Sequence, residues 1–206
     1  MVLESLDKMG HQPIPELRGY EGPWPPPEEL RRRRMSFEEF ARTPWEGNAE
    51  WVDGEAIFMI GFPPRLHARV IAKIVVLYAS AFPELDVLPE QAVRLNEETL
   101  RKPDVVLDHH WTEQDLLSDN IDAPLVVVEV VSKSTRTQDY IDKAAEYAQA
   151  GIGQYWIVDW QVETITILRN DDGAWRTLAE LTREEPIAEV SIADVGSVIV
   201  DLNEII

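Results

Sequence analysis

A mixed-sheet α/β fold is what this sequence predicts, and three observations carry the prediction. Leu125 to Val131 is an apolar run broken only by Glu129, the pattern of a strand covered on both faces. Thr137 to Ala150 repeats Ile141, Ala144, Ala145 and Ala148 at helical spacing and stops at Gly151. Tyr155 to Asp159 follows as a second apolar strand. Strand, helix and strand in this order make a crossover, so two strands run parallel and the hairpins elsewhere add antiparallel pairs.

The remaining elements follow in chain order. Pro13, Pro15, Pro23, Pro25, Pro26 and Pro27 predict an extended arm over residues 1–35, ahead of one domain over 36–206. Arg31 to Arg34 reads as a solvated boundary at a helix start, with phosphate contact as the alternative. Ser36-Phe37-Glu38-Glu39 has the form of a capping box and opens a short helix through Phe40. Glu50 to Ile60 is a hairpin turning at Asp53-Gly54. From Pro64 to Ala81, Val70, Ile71, Ile74, Leu77, Tyr78 and Ala81 mark a helix. Leu85 to Leu95 holds a strand, Asp104 to Leu107 another, and Asp108 to Pro124 is a polar loop with room for a short helix. Glu163 to Leu168 adds a strand, and Val190 to Leu202 one or two more.

With 206 residues, 45% of them hydrophobic, the chain suits a single sizeable core, to which seven tryptophans contribute. The absence of cysteine excludes disulfides and cysteine-based zinc sites. No apolar segment follows a basic start, and no run approaches the length of a membrane span. A soluble, cytoplasmic protein without a membrane partner is therefore expected. The net charge of -19 opposes long-range approach to nucleic acid. Residues 1–35 hold six Lys/Arg and six Asp/Glu, so the whole excess lies beyond them. Divalent metal can neutralise part of it.

Two strands that each present an acid point to a shared cation site. Glu129 lies near the carboxyl end of its strand, where α/β sheets open a site. It shares a face with Leu125, Val127 and Val131. A carboxylate inside such a strand must be paired, hydrogen-bonded or bound to a cation. Asp104 precedes its own strand after Pro103. If the two strands are neighbours, both acids reach one Mg²⁺ or Mn²⁺, which prefer carboxylate and water oxygens. A lysine is the expected third partner, to stabilise a pentavalent phosphate or orient water. Lys102, Lys133 and Lys143 are the candidates. Lys143 lies on the helix side expected to meet the sheet; its alternative is an exposed lysine near Asp139 and Glu146. Glu50 opens the hairpin. His67, in the first turn of its helix, suits a base, a ligand, a phosphate contact or a core histidine. Gln91 faces either the same cleft or solvent, and the adjacent His109 and His110 point to opposite faces and make a poor metal pair.

These residues resemble the Uma-two family of restriction-endonuclease-like proteins. The resemblance rests on Glu50-Trp51-Val52-Asp53-Gly54-Glu55, His67, Lys102-Pro103-Asp104-Val105-Val106 and Val128 to Thr135. It continues through Asp139, Lys143, Tyr147, Gly151 and Tyr155 to Asp159, covering the chain from about Ser36 onward. The resemblance implies the PD-(D/E)xK superfamily fold: a mixed central sheet flanked by helices, here with an extra N-terminal hairpin and C-terminal strands. It implies Asp104 and Glu129 as metal-binding carboxylates and Glu50 as the upstream acid. The superfamily's usual lysine position, two residues after the second acid, is Val131 here. Lys143 is the substitute, with Lys133 second. Metal-dependent hydrolysis of nucleic acid, chiefly DNA, is the implied activity, with His67 steering substrate. The alternatives are a binding or scaffold protein on the same fold and a small-phosphoester hydrolase. Adjacent apolar strands also permit a homodimer, which would suit a two-strand cut.

Overall fold

The computed structural model describes residues 31–43, 48–59, 64–110, 123–132 and 136–206. Most of the Pro-rich arm, most of the predicted loop before Pro124, and Lys133 lie outside the described residues. In chain order the first elements are β1 (Arg32–Arg34), α1 (Phe37–Arg42), β2 (Asn48–Val52), β3 (Glu55–Met59) and α2 (Arg65–Ala81). Then come β4 (Leu85–Pro89), β5 (Val93–Asn96), β6 (Thr99–Arg101), β7 (Val105–His109) and β8 (Val126–Val130). A π turn (Gln138–Asp142) leads into α3 (Lys143–Gln149). The chain continues through β9 (Gln154–Asp159), β10 (Thr164–Asp171), β11 (Ala174–Leu181), β12 (Ile187–Ile192), β13 (Gly196–Asp201) and α4 (Leu202–Ile205). No helix among the described residues is long and apolar enough to cross a membrane. The described residues divide into two units, those within Met1–Phe62 and Asn96–Lys102 and those within Pro63–Leu95 and Pro103–Ile206.

In the first unit, Asp53 and Gly54 take φ of 52° and 77°, the left-handed pair that a two-residue hairpin turn needs. That turn joins β2 to β3, and β1 and β6 flank the hairpin on either side. The Ser36 hydroxyl accepts from the Glu39 N–H at 3.2 Å and caps α1. Met35, Phe40, Trp51 and Ala56 form a small core beneath. Arg32 to Arg34 forms a strand paired with β3 ahead of α1, and the next residue, Met35, donates its N–H to the Gly54 carbonyl at 3.0 Å.

The second unit is built on a six-stranded sheet in the order β11-β10-β9-β8-β7-β4. Its β8/β9 pair is parallel and its other pairs are antiparallel, so the sheet is mixed as the crossover predicted. Every residue of β8 is buried. Val126, Val128 and Val130 face the core formed with α2, whose Val70, Ile74 and Tyr78 are inward, and with the β12/β13 ribbon. Val127 and Val131 face the opposite core, with Ala144 and Tyr147 of α3. Gly151, at φ 80°, ends the helix. Gly153 then lets the chain pass so close to β8 that a Cβ there would lie 2.8 Å from the Leu125 carbonyl oxygen.

Two local expectations are corrected below. The strand expected within Leu85 to Leu95 is present, and Glu90, at φ 53°, divides the segment into β4 and β5. Asp108 and His109 belong to β7 rather than to a loop, paired with Asp86 and Leu85. The inward face of the crossover helix is Asp139, Lys143, Ala144, Tyr147 and Ala148, whereas Ile141 is 62% exposed. Polar groups turn inward there because Glu129 faces them, which a purely apolar stripe could not foretell. Strand β11 was not predicted. It pairs with Ile165 to Asp171 of β10, with a register shift after Ile167, following a turn at Asp172-Gly173.

Candidate active site

The site forms where β7 and β8 lie side by side. Val105 pairs with Val128 and Val106 with Val127. Continuing that register by one pair sets Asp104 opposite Glu129, on strands about 5 Å apart. The Asp104 carboxylate accepts the Val130 N–H at 2.6 Å, which anchors its Oδ2 to the neighbouring strand. His67, from the first turn of α2, brings its Nε2 to 3.4 Å from the same oxygen. Burial pulls the His67 pKa down, but the hydrogen bond and charge of Asp104 outweigh it, with smaller help from Val130 and Asp139; the net shift is upward.

Glu129 meets the crossover helix. Lys143 donates from Nζ to Glu129 Oε1 at 2.8 Å, and the Tyr147 hydroxyl donates to the same oxygen at 2.7 Å. Asp139 Oδ1, one turn before Lys143, lies 3.1 Å from the same ammonium. Glu129, Asp139 and Lys143 are respectively 4%, 1% and 3% exposed, so the lysine is no surface charge. Ion pairs in so dry a place interact strongly, and removing one partner strands the others. Tyr155 completes the floor by donating from its hydroxyl to the Asp139 carbonyl at 2.9 Å. Burial, and then the charges of Glu129, Asp139 and Asp104, hold its phenol well above the ordinary range.

The other predicted residues are described by their local partners. Glu50, in the first unit, accepts from Arg101 Nη1 at 2.8 Å and from the Lys102 N–H at 3.1 Å, in a buried ion pair. Gln91 sits between β4 and β5 and donates its side-chain amide to the Ala92 carbonyl at 3.2 Å. Lys133 lies outside the described residues. His110 pairs with Asp86 at 2.9 Å. Asp139 and Tyr147 were not singled out as site residues. The four-residue spacing from Asp139 to Lys143 was the signal available, since it puts both on one helix face.

Asp104, Glu129 and Asp139 supply three carboxylates against one ammonium and one imidazole, an excess of negative charge that suits a cation. The oxygen donors match a hard divalent ion, which binds through one or two carboxylates and keeps its waters. Among the described residues no group of three or more His, Cys, Asp or Glu could hold a metal ion by itself.

The solved structures include a similar chain, described as a putative nuclease belonging to DUF820 from Anabaena variabilis. It is 15% identical with a TM-score of 0.66, covering 83% of this chain and 97% of that one, which shows a shared fold. No curated protein matches. The family model Uma2, described as "Putative restriction endonuclease", matches residues 37–196. That span runs from the first residue of α1 to the start of β13 and takes in Asp104, Glu129 and Lys143. On a match over most of its length, and with the mixed sheet that the fold requires, this chain belongs to the Uma2 family.

Proposed function

We propose that this protein is a divalent-metal-dependent endonuclease that hydrolyses phosphodiester bonds of nucleic acid, with DNA as its substrate class. The observation that supports this best is Lys143 lying 2.8 Å from Glu129, on the strand beside Asp104. An acid, a second acid and a lysine thus gather at one sheet end, although the lysine comes from a helix. Family membership supports the nuclease reading as well.

Asp104 and Glu129 would hold Mg²⁺ or Mn²⁺. Such an ion, when bound, polarises the phosphate and lowers the pKa of a bound water. Asp104 is prepared for this role by the Val130 N–H, which fixes the carboxylate without neutralising it. Lys143 orients the attacking water or offsets the negative charge that develops on the phosphate. Tyr147 holds Glu129 in place, and His67 meets the substrate from the α2 side. Glu50 serves as the upstream acid, Gln91 and Lys133 as further contacts, and a homodimer makes the two-strand cut. The reading places this chemistry in a domain over 36–206, with residues 1–35 as an arm.

The test is calorimetric titration with Mg²⁺ and Mn²⁺ on the wild type and on Asp104→Ala/Glu129→Ala, followed by cleavage assays on DNA, RNA and small phosphoesters. Metal binding lost in the double variant, and DNA cleavage lost in each single variant with the fold intact, is the expected outcome. Full cleavage by both single variants would sink the assignment. One observation favours a second reading, a binding protein on the same fold. Glu129 Oε1 is already engaged by Lys143 and Tyr147, as in a purely structural ion pair. A folded wild type that binds no metal and cleaves none of the substrates would decide for that reading.

A further inference from the structure

We infer that Arg136 is a phosphate-binding residue, which grips the nucleic-acid backbone beside the acids at the carboxyl end of β8 and β9. The inference rests on the nuclease reading and names a group that the reading does not use. Arg136 stands ahead of the π turn in the crossover helix and is 44% exposed on its side chain. Its Nη1 lies 2.7 Å from Asp159 Oδ2, whose side chain is wholly buried, and its guanidinium sits 5.5 Å from the centre of the Tyr140 ring. An exposed arginine normally loses much rotamer freedom on gripping an anion. This one is already held on two sides, with its fork of donors partly in solvent.

The placement of the pair points to the same use. Glu129 pairs with Ile157 and Val130 with Val158, so continuing the parallel register sets Val131 beside Asp159. Asp159 therefore lies on the Glu129 face of the sheet, one strand over and two residues on, about 8 Å away. The arginine that Asp159 holds is thus next to the proposed hydrolytic centre. The hydrogen bonds that cap the turn do not involve the arginine. Asp159 caps the turn with its other oxygen, Oδ1, which accepts the N–H groups of Gln161 and Val162 at 3.1 and 3.4 Å. A cation in the N-terminal part of a helix is also poorly placed against the helix dipole. With a net charge of -19, the molecule can attract a polyanion only through local, fixed cations of this kind.

The test uses the full chain and a fluorescently labelled, mixed-sequence DNA duplex, in chelator so that no cleavage intrudes. Affinity is read by anisotropy across a salt series. The informative variant is Arg136→Met/Asp159→Asn, which leaves a stem over Tyr140, keeps the turn-capping oxygen and strands no buried charge. Its log–log salt slope should be shallower by about 0.9, and its affinity about fivefold weaker at physiological salt. Arg136→Lys should keep the wild-type slope, because the charge remains. An unchanged slope and affinity in a folded double variant overturns the proposal, as does an equal loss in Arg136→Lys. So does a wild type with no salt-dependent binding. A cleavage assay with Mg²⁺ on the same preparations judges the nuclease reading separately, so either can fail alone.

Discussion

Lys143 carries a charge that two carboxylates share, and its loss should be felt twice. Lys143→Met leaves Glu129 and Asp139 buried without their cation, which costs about 3–5 kcal/mol of stability. It should also lower kcat by about 10²–10³, the usual penalty for losing one fixed group at a developing negative charge. Urea unfolding and single-turnover cleavage check the two effects; a variant as stable as wild type would contradict the buried pairing. His67 makes a second prediction. Its folded pKa lies above the ordinary 6.5, so it binds its proton more tightly in the folded chain. That contribution to stability is complete below 6.5 and is lost as pH rises through the folded value. In metal-free protein, the stability gap between wild type and His67→Gln should therefore shrink from mildly acidic to alkaline pH. A gap that widens with pH would refute the contact with Asp104. The acids themselves were legible in the sequence, since a carboxylate in an apolar strand demands a partner. Asp139 and Tyr147 were harder to see, because an aspartate and a tyrosine on a helix look ordinary until the face they share is known.

At the scale of elements, the crossover is where sequence and structure agree best. The valine run, the helix and Tyr155 to Asp159 each have one dominant pattern, and the β8/β9 pair follows. The helix face was misjudged because its inward side is half polar: the partner of Asp139 and Lys143 lies on another element, and periodicity within one element cannot reveal it. Strands β1 and β6 are three residues long, too short to show a period at all. Strand β11 has only one fully buried residue, Leu181, so its alternation is weak. Tight passage at Gly153 gives the element-scale prediction. Gly153→Ala sets a methyl against the Leu125 carbonyl at 2.8 Å, and the strand must shift. A loss of about 1–3 kcal/mol in urea unfolding is expected. Gly173→Ala, by contrast, meets no atom within 4 Å and is strained only by its φ of 83°. If Gly153→Ala were the milder of the two, the close approach of β9 to β8 would be wrong.

For the molecule as a whole, charge sets the conditions under which it can work. A net -19 repels nucleic acid, so binding should fall steeply with salt only if fixed cations do the work, and cation binding should relieve part of the repulsion. Added Mg²⁺ should therefore tighten DNA binding by the wild type but not by Asp104→Ala/Glu129→Ala, a comparison that anisotropy can make. The match to the family model covers the sheet and the site together, yet the charge balance is a property that no single motif records. One bond described above offers a way to watch that balance directly. The Val130 N–H is held not by a strand carbonyl but by the Asp104 carboxylate, at 2.6 Å. Its proton resonance is thus tuned by the charge on that side chain, and a nitrogen-15 correlation spectrum of the intact protein contains one peak that reads the carboxylate. A cation arriving at Asp104 should move that peak ahead of any change in turnover, making the backbone of β8 its own indicator.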